Sequence, residues 1–160
     1  MYCAKPDMLL SILIPTLETR QQVFSTLFTA INRQIAESNL SGEVEVLYEC
    51  DKGEQSIGGK RNLLLNRARG QFVSFVDDDD ALNPEYVWRI CEAIRDHPSA
   101  DCIGMNGTIT FRGSRSYSVT YSLRYNDFFS RNHNYFRLPI HFNPVRREIA
   151  LRYRFAEISY

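Results

Sequence analysis

Four consecutive aspartates, Asp77 to Asp80, are the residues of this sequence with the most evident capacity for chemistry. They follow directly on residues 72–76, an apolar and partly β-branched run that is typical of a buried strand. Adjacent carboxylates repel one another unless a cation lies among them, and their oxygens suit Mg²⁺ or Mn²⁺, which commonly bridges to phosphate. A solvated acidic turn is the alternative. The position at the end of a core strand favours the metal site, because open α/β sheets bind ligands there.

Polar residues also follow two other predicted strands. The first strand, over residues 8–14, is stopped by Pro15 and followed by Thr16. The second, over residues 44–48, ends shortly before Asp51. The carboxyl ends of parallel strands meet at one edge of a sheet. We therefore expect Thr16, Asp51 and Asp79 to converge there.

The elements that position these residues follow the hydrophobic periodicity. Strands alternate with helices, which predicts a parallel sheet with right-handed crossovers. The first predicted helix ends at about residue 36, the second covers residues 60–68, and the third covers residues 84–95, with Asn83 as its cap and Pro84 at its first position. Helical spacing predicts inward-facing residues at Val23, Leu27, Ala30, Ile31, Gln34 and Ile35 in the first helix, at Leu63, Leu64 and Ala68 in the second, and at Val87, Ile90, Cys91 and Ile94 in the third.

The pattern changes after residue 101, where short strands replace the alternation of strand and helix. We predict that two of these strands pair as a hairpin across residues 112–116. The predicted elements are strands over residues 102–105, 108–111 and 117–121, an irregular, aromatic-rich segment over 124–142, and a short helix over 143–151.

Composition narrows the class of protein. A chain of 160 residues with 44% hydrophobic and 24% charged residues fits a single globular domain. No run approaches the roughly 18 apolar residues of a membrane span, and residues 8–14 lack the flanks of a signal peptide. The four cysteines lie far apart in the sequence, which predicts reduced thiols rather than a disulfide framework. We therefore expect a cytoplasmic protein with no transmembrane segment.

Charge is unevenly distributed along the chain. Residues 1–110 contain 10 basic and 16 acidic residues, whereas residues 111–160 contain 9 basic and 3 acidic residues. The formal charges are therefore near −6 and +6. The split predicts an acidic site in the first part and an anion-friendly or acceptor-facing surface in the second, unless the two parts simply attract each other.

Several motifs occur together in an order that is hard to obtain by chance. They are Gly58-Gly59-Lys60-Arg61-Asn62, then Ala68-Arg69-Gly70, then residues 75–80, then Asn83-Pro84. In this arrangement the sequence resembles family 2 glycosyltransferases from about residue 10 to its end. The resemblance implies a GT-A-like α/β fold, with a mainly parallel central sheet flanked by helices and a smaller β-containing acceptor-side region. It implies one domain over residues 1–160, with a nucleotide-sugar-binding part (1–110) and an acceptor-side part (111–160).

The resemblance also implies roles for individual residues. A D-x-D element of Asp77 and Asp79 would bind Mn²⁺ or Mg²⁺, with Asp80 as a further metal residue. Thr16 and Glu18 would border the nucleobase and ribose, Asp51 would bond to the base or ribose, and Lys60 would face the diphosphate. The nucleotide-sugar-binding set is Thr16, Glu18, Arg20, Asp51, Lys60, Arg61 and Asp78. The alternative for Lys60 and Arg61 is a solvated helix end, and for Asn62 a residue that holds the connecting loop.

The catalytic base stays unassigned. In this family an acidic element supplies it, and the resemblance places that element just beyond Tyr160. The chain is then a C-terminally truncated form that transfers slowly, or a donor-binding module without transfer, or an enzyme that uses another carboxylate such as Asp127 or Glu157. His97, His133 and His141 are expected to be structural, although the resemblance implies a histidine near metal or phosphate at the position of His141. The acceptor is open among glycan, lipid, protein and nucleic acid, and the arginine-rich last third leaves a nucleic-acid-associated function as a further alternative.

Overall fold

The computed structural model describes residues 8–111 and 115–158, which form eight strands, four α-helices and a short 3₁₀ turn at Glu18–Arg20. The strands are β1 (Leu10–Leu17), β2 (Val44–Asp51), β3 (Phe72–Phe75), β4 (Met105–Phe111), β5 (Arg115–Tyr121), β6 (Phe129–Arg131), β7 (Asn134–Arg137) and β8 (Val145–Arg146). The helices are α1 (Gln21–Glu37), α2 (Ile57–Arg67), α3 (Tyr86–Asp96) and α4 (Arg147–Ala150). Within the described residues, no helix combines the length and the apolarity needed to cross a bilayer.

The first sheet has the strand order β2-β1-β3-β8. Strands β1, β2 and β3 are parallel, as predicted, and β8 runs antiparallel at the edge. Strand β1 alternates its side chains between two apolar layers. Leu10, Ile12 and Ile14 pack with the inner faces of α1 and α3, whereas Leu13 packs with Leu64 of α2. Because β1, β2 and β3 are parallel, their carboxyl ends lie at the same edge of the sheet.

Strand β1 is longer than predicted, since it continues through Pro15 to Leu17. It pairs with β3 only as far as Leu13, whereas its pairing with β2 extends to Leu17 opposite Asp51. Beyond Leu13 one side of the strand is therefore unpaired, and a proline can lie at such a position without breaking a central ladder.

The helices differ from the predictions in their starts and in part of their inner faces. In α1 Phe24 is buried and Val23 is exposed, because the Phe24 ring packs at 4.9 Å from the ring of Tyr48. In α2 Leu65 is buried and Leu63 is exposed. The predicted glycine-rich connection includes the first turn of α2, because the Ser56 hydroxyl accepts a hydrogen bond from the amide of Gly59 and caps the helix at Ile57.

The prediction that α3 starts at Pro84 was wrong by two residues. The helix starts at Tyr86, after a turn in which the Asn83 side chain accepts from the amide of Glu85. The Asn83 cap therefore acts on a turn before the helix. The predicted inner residues Val87, Ile90, Cys91 and Ile94 are all buried.

The second sheet has the order β4-β5-β7-β6. The predicted hairpin is confirmed by antiparallel pairing of β4 with β5, and the centre of its turn (112–114) lies outside the described residues. No strand covers residues 102–105 as a unit, since β4 begins at Met105, and the segment predicted to be irregular contains β6 and β7. The predicted division at residue 110 falls inside this hairpin and stays a prediction.

The short helix predicted from residue 143 begins later, because Val145 pairs with Val73 and lies in β8. Asn143 is buried instead. Its side chain donates to the carbonyl of Ile103 at 3.0 Å and accepts from the amide of Ile140 at 3.0 Å. This link holds the segment that carries His141 beside the end of β3.

Candidate functional site

The residue that links the ends of β1 and β3 is Asp78, which is only 5% exposed. The Thr16 hydroxyl donates to its carboxylate at 2.6 Å. The Arg20 guanidinium donates to the same carboxylate through Nε at 2.8 Å and Nη2 at 2.6 Å. The same Nη2 lies 2.8 Å from the carboxylate of Asp79. Arg20 thus bridges two neighbouring aspartates, and Thr16 fixes one of them from β1.

The ends of β1 and β2 are joined by Lys60, which is 3% exposed. Its ammonium donates to the backbone carbonyl of Thr16 at 2.5 Å and forms an ion pair with Asp51. The Asp51 carboxylate also accepts the amides of Gly53 at 3.0 Å and Gln55 at 2.8 Å. The ion pair with Lys60, together with these amides, lowers the pKa of Asp51. Lys60 and Asp51 therefore hold the loop after β2 against the end of β1.

Asp77 is contacted by Arg61 and His141. The Arg61 guanidinium lies 2.9 Å from one carboxylate oxygen, and Nε2 of His141 lies 3.2 Å from the other. The hydrogen bond to His141, then the charges of His141 and Arg61, lower the pKa of Asp77. Asp77 is therefore an anion at neutral pH, with cationic and polar partners on both sides.

Asp80 differs from its three neighbours because no cation bonds to it among the contacts of the described residues. Its carboxylate accepts the amide of Asp77 at 3.2 Å. Desolvation, together with the charges of Asp77 and Asp79, raises its pKa. Asp51 and the four aspartates supply five negative charges against three positive charges on Arg20, Lys60 and Arg61. These groups have a formal excess of two negative charges, to which Glu54 in the cleft lining adds a third.

A cleft of about 490 Å³ lies at this edge of the sheet. Its walls come from the end of β1, the loop after β2, the start of α2, the acidic run and one residue near the end of the described chain. The lining residues from predicted site positions are Thr16, Arg20, Lys60, Asp77, Asp78 and Asp79. The volume, and the charged side chains set among apolar ones in the lining, fit a phosphorylated small molecule.

The C-terminal segment at residues 155–158 closes one side of this cleft. The backbone of Phe155 exchanges two hydrogen bonds with the Asn62 side chain, at 3.0 and 2.9 Å, and Ile158 lines the cleft. The Arg61 guanidinium lies beside the contacting rings of Phe75 and Phe155, at 5.8 and 5.6 Å from their centroids. Asn62 therefore anchors this segment rather than the loop before α2.

The structure brings most of the predicted site residues together. Thr16, Asp51 and Asp79 converge, because Lys60 contacts the first two and Arg20 connects Asp78 to Asp79. Glu18 is exposed on the 3₁₀ turn and lies outside the cleft lining. Its proposed contact with a nucleobase stays a prediction.

Two functional neighbours were missed or set aside by the sequence reasoning. His141 was expected to be structural, with a position near metal or phosphate as the alternative that the resemblance implied, and it contacts Asp77. Residues 53–57 line the cleft although the sequence indicated only a polar connection. Glu157, one candidate base, is exposed and paired with Arg154 at 2.6 Å, and this contact lowers its pKa, which makes it a weak base.

The carboxylate oxygens of the acidic run suit a divalent cation that is also coordinated by a bound ligand. Within residues 8–111 and 115–158, no group of three or more His, Cys, Asp or Glu side chains is arranged to hold a metal alone. Mg²⁺ is usually held by one or two carboxylates together with substrate phosphate and water. Asp79 fits this role, because its side chain is 61% exposed and lines the cleft. Asp77 and Asp80 are the adjacent oxygen donors.

The chain belongs to glycosyl transferase family 2, whose family pattern matches residues 11–154. No curated protein sequence matches this chain. The match includes nearly all of the three parallel strands and every predicted site residue, whereas residues 155–158, which close one side of the cleft, lie beyond it. The mixed sheets flanked by helices are those of the GT-A-like fold that the sequence predicted.

Solved structures of S. aureus TarS share this fold. The structure of TarS 1-349 is similar with a TM-score of 0.55 and 17% sequence identity, over 94% of this chain and 51% of that one. The structure of TarS 1-349 in complex with UDP gives the same values. The chain thus spans about half the length of the TarS fragment that it matches.

Proposed function

We propose that this chain binds a nucleotide sugar in the cleft at the ends of β1, β2 and β3 and transfers its glycosyl group to an acceptor. Family membership supports glycosyl transfer as the class of reaction. The observation that carries the proposal is the network from Asp51 through Lys60, Thr16 and Asp78 to Arg20. It gathers cationic and anionic groups at the sheet edge where nucleotides bind in α/β folds.

In the proposed reaction the bond between the anomeric carbon and the β-phosphate oxygen breaks, and the acceptor oxygen forms a new bond to that carbon. The electron pair of the broken bond goes to the leaving nucleoside diphosphate, whose negative charge grows. Arg20 lines the cleft and can stabilise that charge. A divalent cation at Asp79 supplies further charge stabilisation when bound. The acceptor proton needs a base, which stays unassigned.

UDP is the nucleotide with which to begin, because the similar TarS fragment was crystallised with it. A nucleoside diphosphate is anionic and the site has excess negative charge, so the two need a shared cation. We therefore expect UDP to bind more tightly with Mn²⁺ or Mg²⁺ than with a chelator present. The carboxylates of residues 115–158 are Asp127, Glu148 and Glu157, and none of them lines the cleft. This observation keeps a donor-binding module without transfer as the second candidate.

The test joins calorimetry of UDP binding with an assay of UDP release from a panel of UDP-sugars. Metal-dependent binding together with UDP release supports glycosyl transfer. Binding without release, in the presence of candidate acceptors, favours the donor-binding module. Absence of UDP binding under both metal conditions contradicts both candidates for this nucleotide.

A further inference from the structure

Arg20 holds two carboxylates that differ sharply in their surroundings. Asp78 is buried and keeps a second partner, the Thr16 hydroxyl at 2.6 Å. Asp79 is exposed in the cleft, where Nη2 of Arg20 lies 2.8 Å from one of its oxygens. The Arg20 side chain is itself 40% exposed and lines the same cleft. Its hold on Asp78 is thus part of the fold, whereas its contact with Asp79 can be exchanged for another partner.

We propose that Arg20 couples donor binding to cation binding by competing with the divalent cation for Asp79. An entering diphosphate offers the exposed edge of the guanidinium a stronger anionic partner, so Arg20 releases Asp79 and keeps its Nε bond to Asp78. The released carboxylate oxygen then becomes available to the cation. This inference rests on the proposed function, since it needs both a nucleoside diphosphate and a cation in the cleft.

The geometry favours this exchange over a fixed structural role. A guanidinium has its donors in a rigid fork, so one edge can stay on Asp78 while the other turns to phosphate. Nε donates to both oxygens of Asp78, at 2.8 and 3.0 Å, and Nη2 adds a contact at 2.6 Å, so the bonds from Nε can keep Arg20 on Asp78 after Nη2 turns to phosphate. The second contact of Nη2 reaches an exposed carboxylate, and exposed ion pairs contribute little to stability.

The coupling has a definite sign and a bounded size. Without the diphosphate, the cation has to displace Arg20 from Asp79. The cost is the strength of one exposed ion pair, which lowers the affinity for the cation about two- to fivefold. Once the diphosphate has engaged Arg20, that penalty disappears. By linkage, the cation strengthens diphosphate binding by the same factor that the diphosphate strengthens cation binding.

The experiment measures Mn²⁺ affinity with and without saturating UDP, by the spin-resonance signal of free Mn²⁺ and by calorimetry. The coupling factor is the ratio of the two Mn²⁺ dissociation constants. The variant is Arg20→Gln, whose amide can still donate to Asp78, and Arg67→Gln is the matched control. Arg67 pairs with Glu49 near the end of β2, outside the cleft lining, so Arg67→Gln removes the same charge at a site away from the cleft.

We expect Arg20→Gln to bind Mn²⁺ alone about two- to fivefold more tightly than the parent chain, with little change when UDP is present. The coupling factor then falls by the same two- to fivefold, while Arg67→Gln leaves it unchanged. An equal gain in Mn²⁺ affinity with and without UDP means that removal of a nearby charge is the whole effect, and this overturns the inference. Weaker Mn²⁺ binding by a folded variant also overturns it.

A second variant covers the case in which Arg20→Gln does not fold. Arg20→Lys keeps a charge beside buried Asp78, but a single ammonium lacks the fork that holds both carboxylates. A fall in the coupling factor supports the inference, and an unchanged factor contradicts it. If the parent chain binds UDP with Mn²⁺ and only the coupling result fails, the proposed function stands without this role for Arg20. If the parent chain binds neither, both proposals fall.

Discussion

Replacing Gly58 by alanine should detach the C-terminal segment from α2. A Cβ atom built on Gly58 lies 2.0 Å from the backbone oxygen of Ala156, which is too close for any real contact. A backbone atom cannot turn aside as a flexible side chain can, so the segment at residues 155–158 has to shift. Gly59 is the matched control, because a Cβ there meets nothing closer than the Ser56 hydroxyl at 3.4 Å.

The size of the effect follows from the contacts that hold the segment. The two hydrogen bonds between Asn62 and Phe155 contribute about 1 kcal/mol each. The edge-on contact of Phe155 with Phe75 and its contact with Arg61 add about 1 kcal/mol apiece. Alanine stabilises a helix by about 1 kcal/mol relative to glycine, which offsets part of this loss. We therefore expect Gly58→Ala to lose about 2–3 kcal/mol of unfolding free energy.

Urea unfolding of the two variants beside the parent chain measures this difference. Gly58→Ala should also melt about 5–10 °C lower, whereas Gly59→Ala should be unchanged or slightly more stable. Because Ile158 lines the cleft, UDP affinity should fall in Gly58→Ala and stay constant in Gly59→Ala. Equal stability of the two variants would refute the inference that Gly58 is needed for close approach of the C-terminal segment.

Two further predictions concern the charged network. Lys60→Met should lower the unfolding free energy, because it leaves the Asp51 carboxylate without its ion-pair partner, and should weaken UDP binding about tenfold or more. The substitution of exposed Lys52 by Met should do neither. The hydrogen bond to His141 is the main cause of the lowered pKa of Asp77. The ionised carboxylate therefore stabilises the fold at pH values above its ordinary pKa of 3.8, and this contribution is lost as the pH falls through the folded-state pKa. The stability difference between the parent chain and Asp77→Asn should therefore shrink between pH 7 and pH 3, and a difference that is constant with pH would contradict it.

The three parallel strands were predictable because their signal is local. Residues 10–14 and 72–75 are apolar runs, and a strand buried on both faces needs little else to be recognised. The same is true of the hairpin, whose alternating strands flank a short connection. The acidic run, Thr16 and Asp51 were found for the same reason, since each lies at or just beyond the carboxyl end of one of these strands.

The errors arose where distant residues decide the local conformation. Gly58 looks like part of a loop, but it lies in a helix whose first turn is packed against residue 156. Residues 143 and 144 look like a helix start, but the buried Asn143 binds the backbone of Ile103 and Val145 pairs with Val73. Neither partner is near in sequence, so no periodicity could indicate it.

The identity of the ion pairs could not be predicted either. The sequence shows four adjacent aspartates, but only the structure separates buried Asp78 from exposed Asp79 and assigns Arg20 to both. This separation follows from how the turn after β3 meets the end of β1. It is the observation on which the proposed competition between Arg20 and the cation for Asp79 rests.

The proposed function requires a nucleoside diphosphate to bind between Arg20, the start of α2 and the acidic run. A crystal structure of this chain grown with UDP and Mn²⁺ shows whether it does. We predict electron density for the diphosphate in the cleft of about 490 Å³, with the metal on Asp79 and a phosphate oxygen in contact with Arg20. UDP bound at another surface, or a diphosphate in the cleft without contact to Asp79 through the metal, would contradict the account.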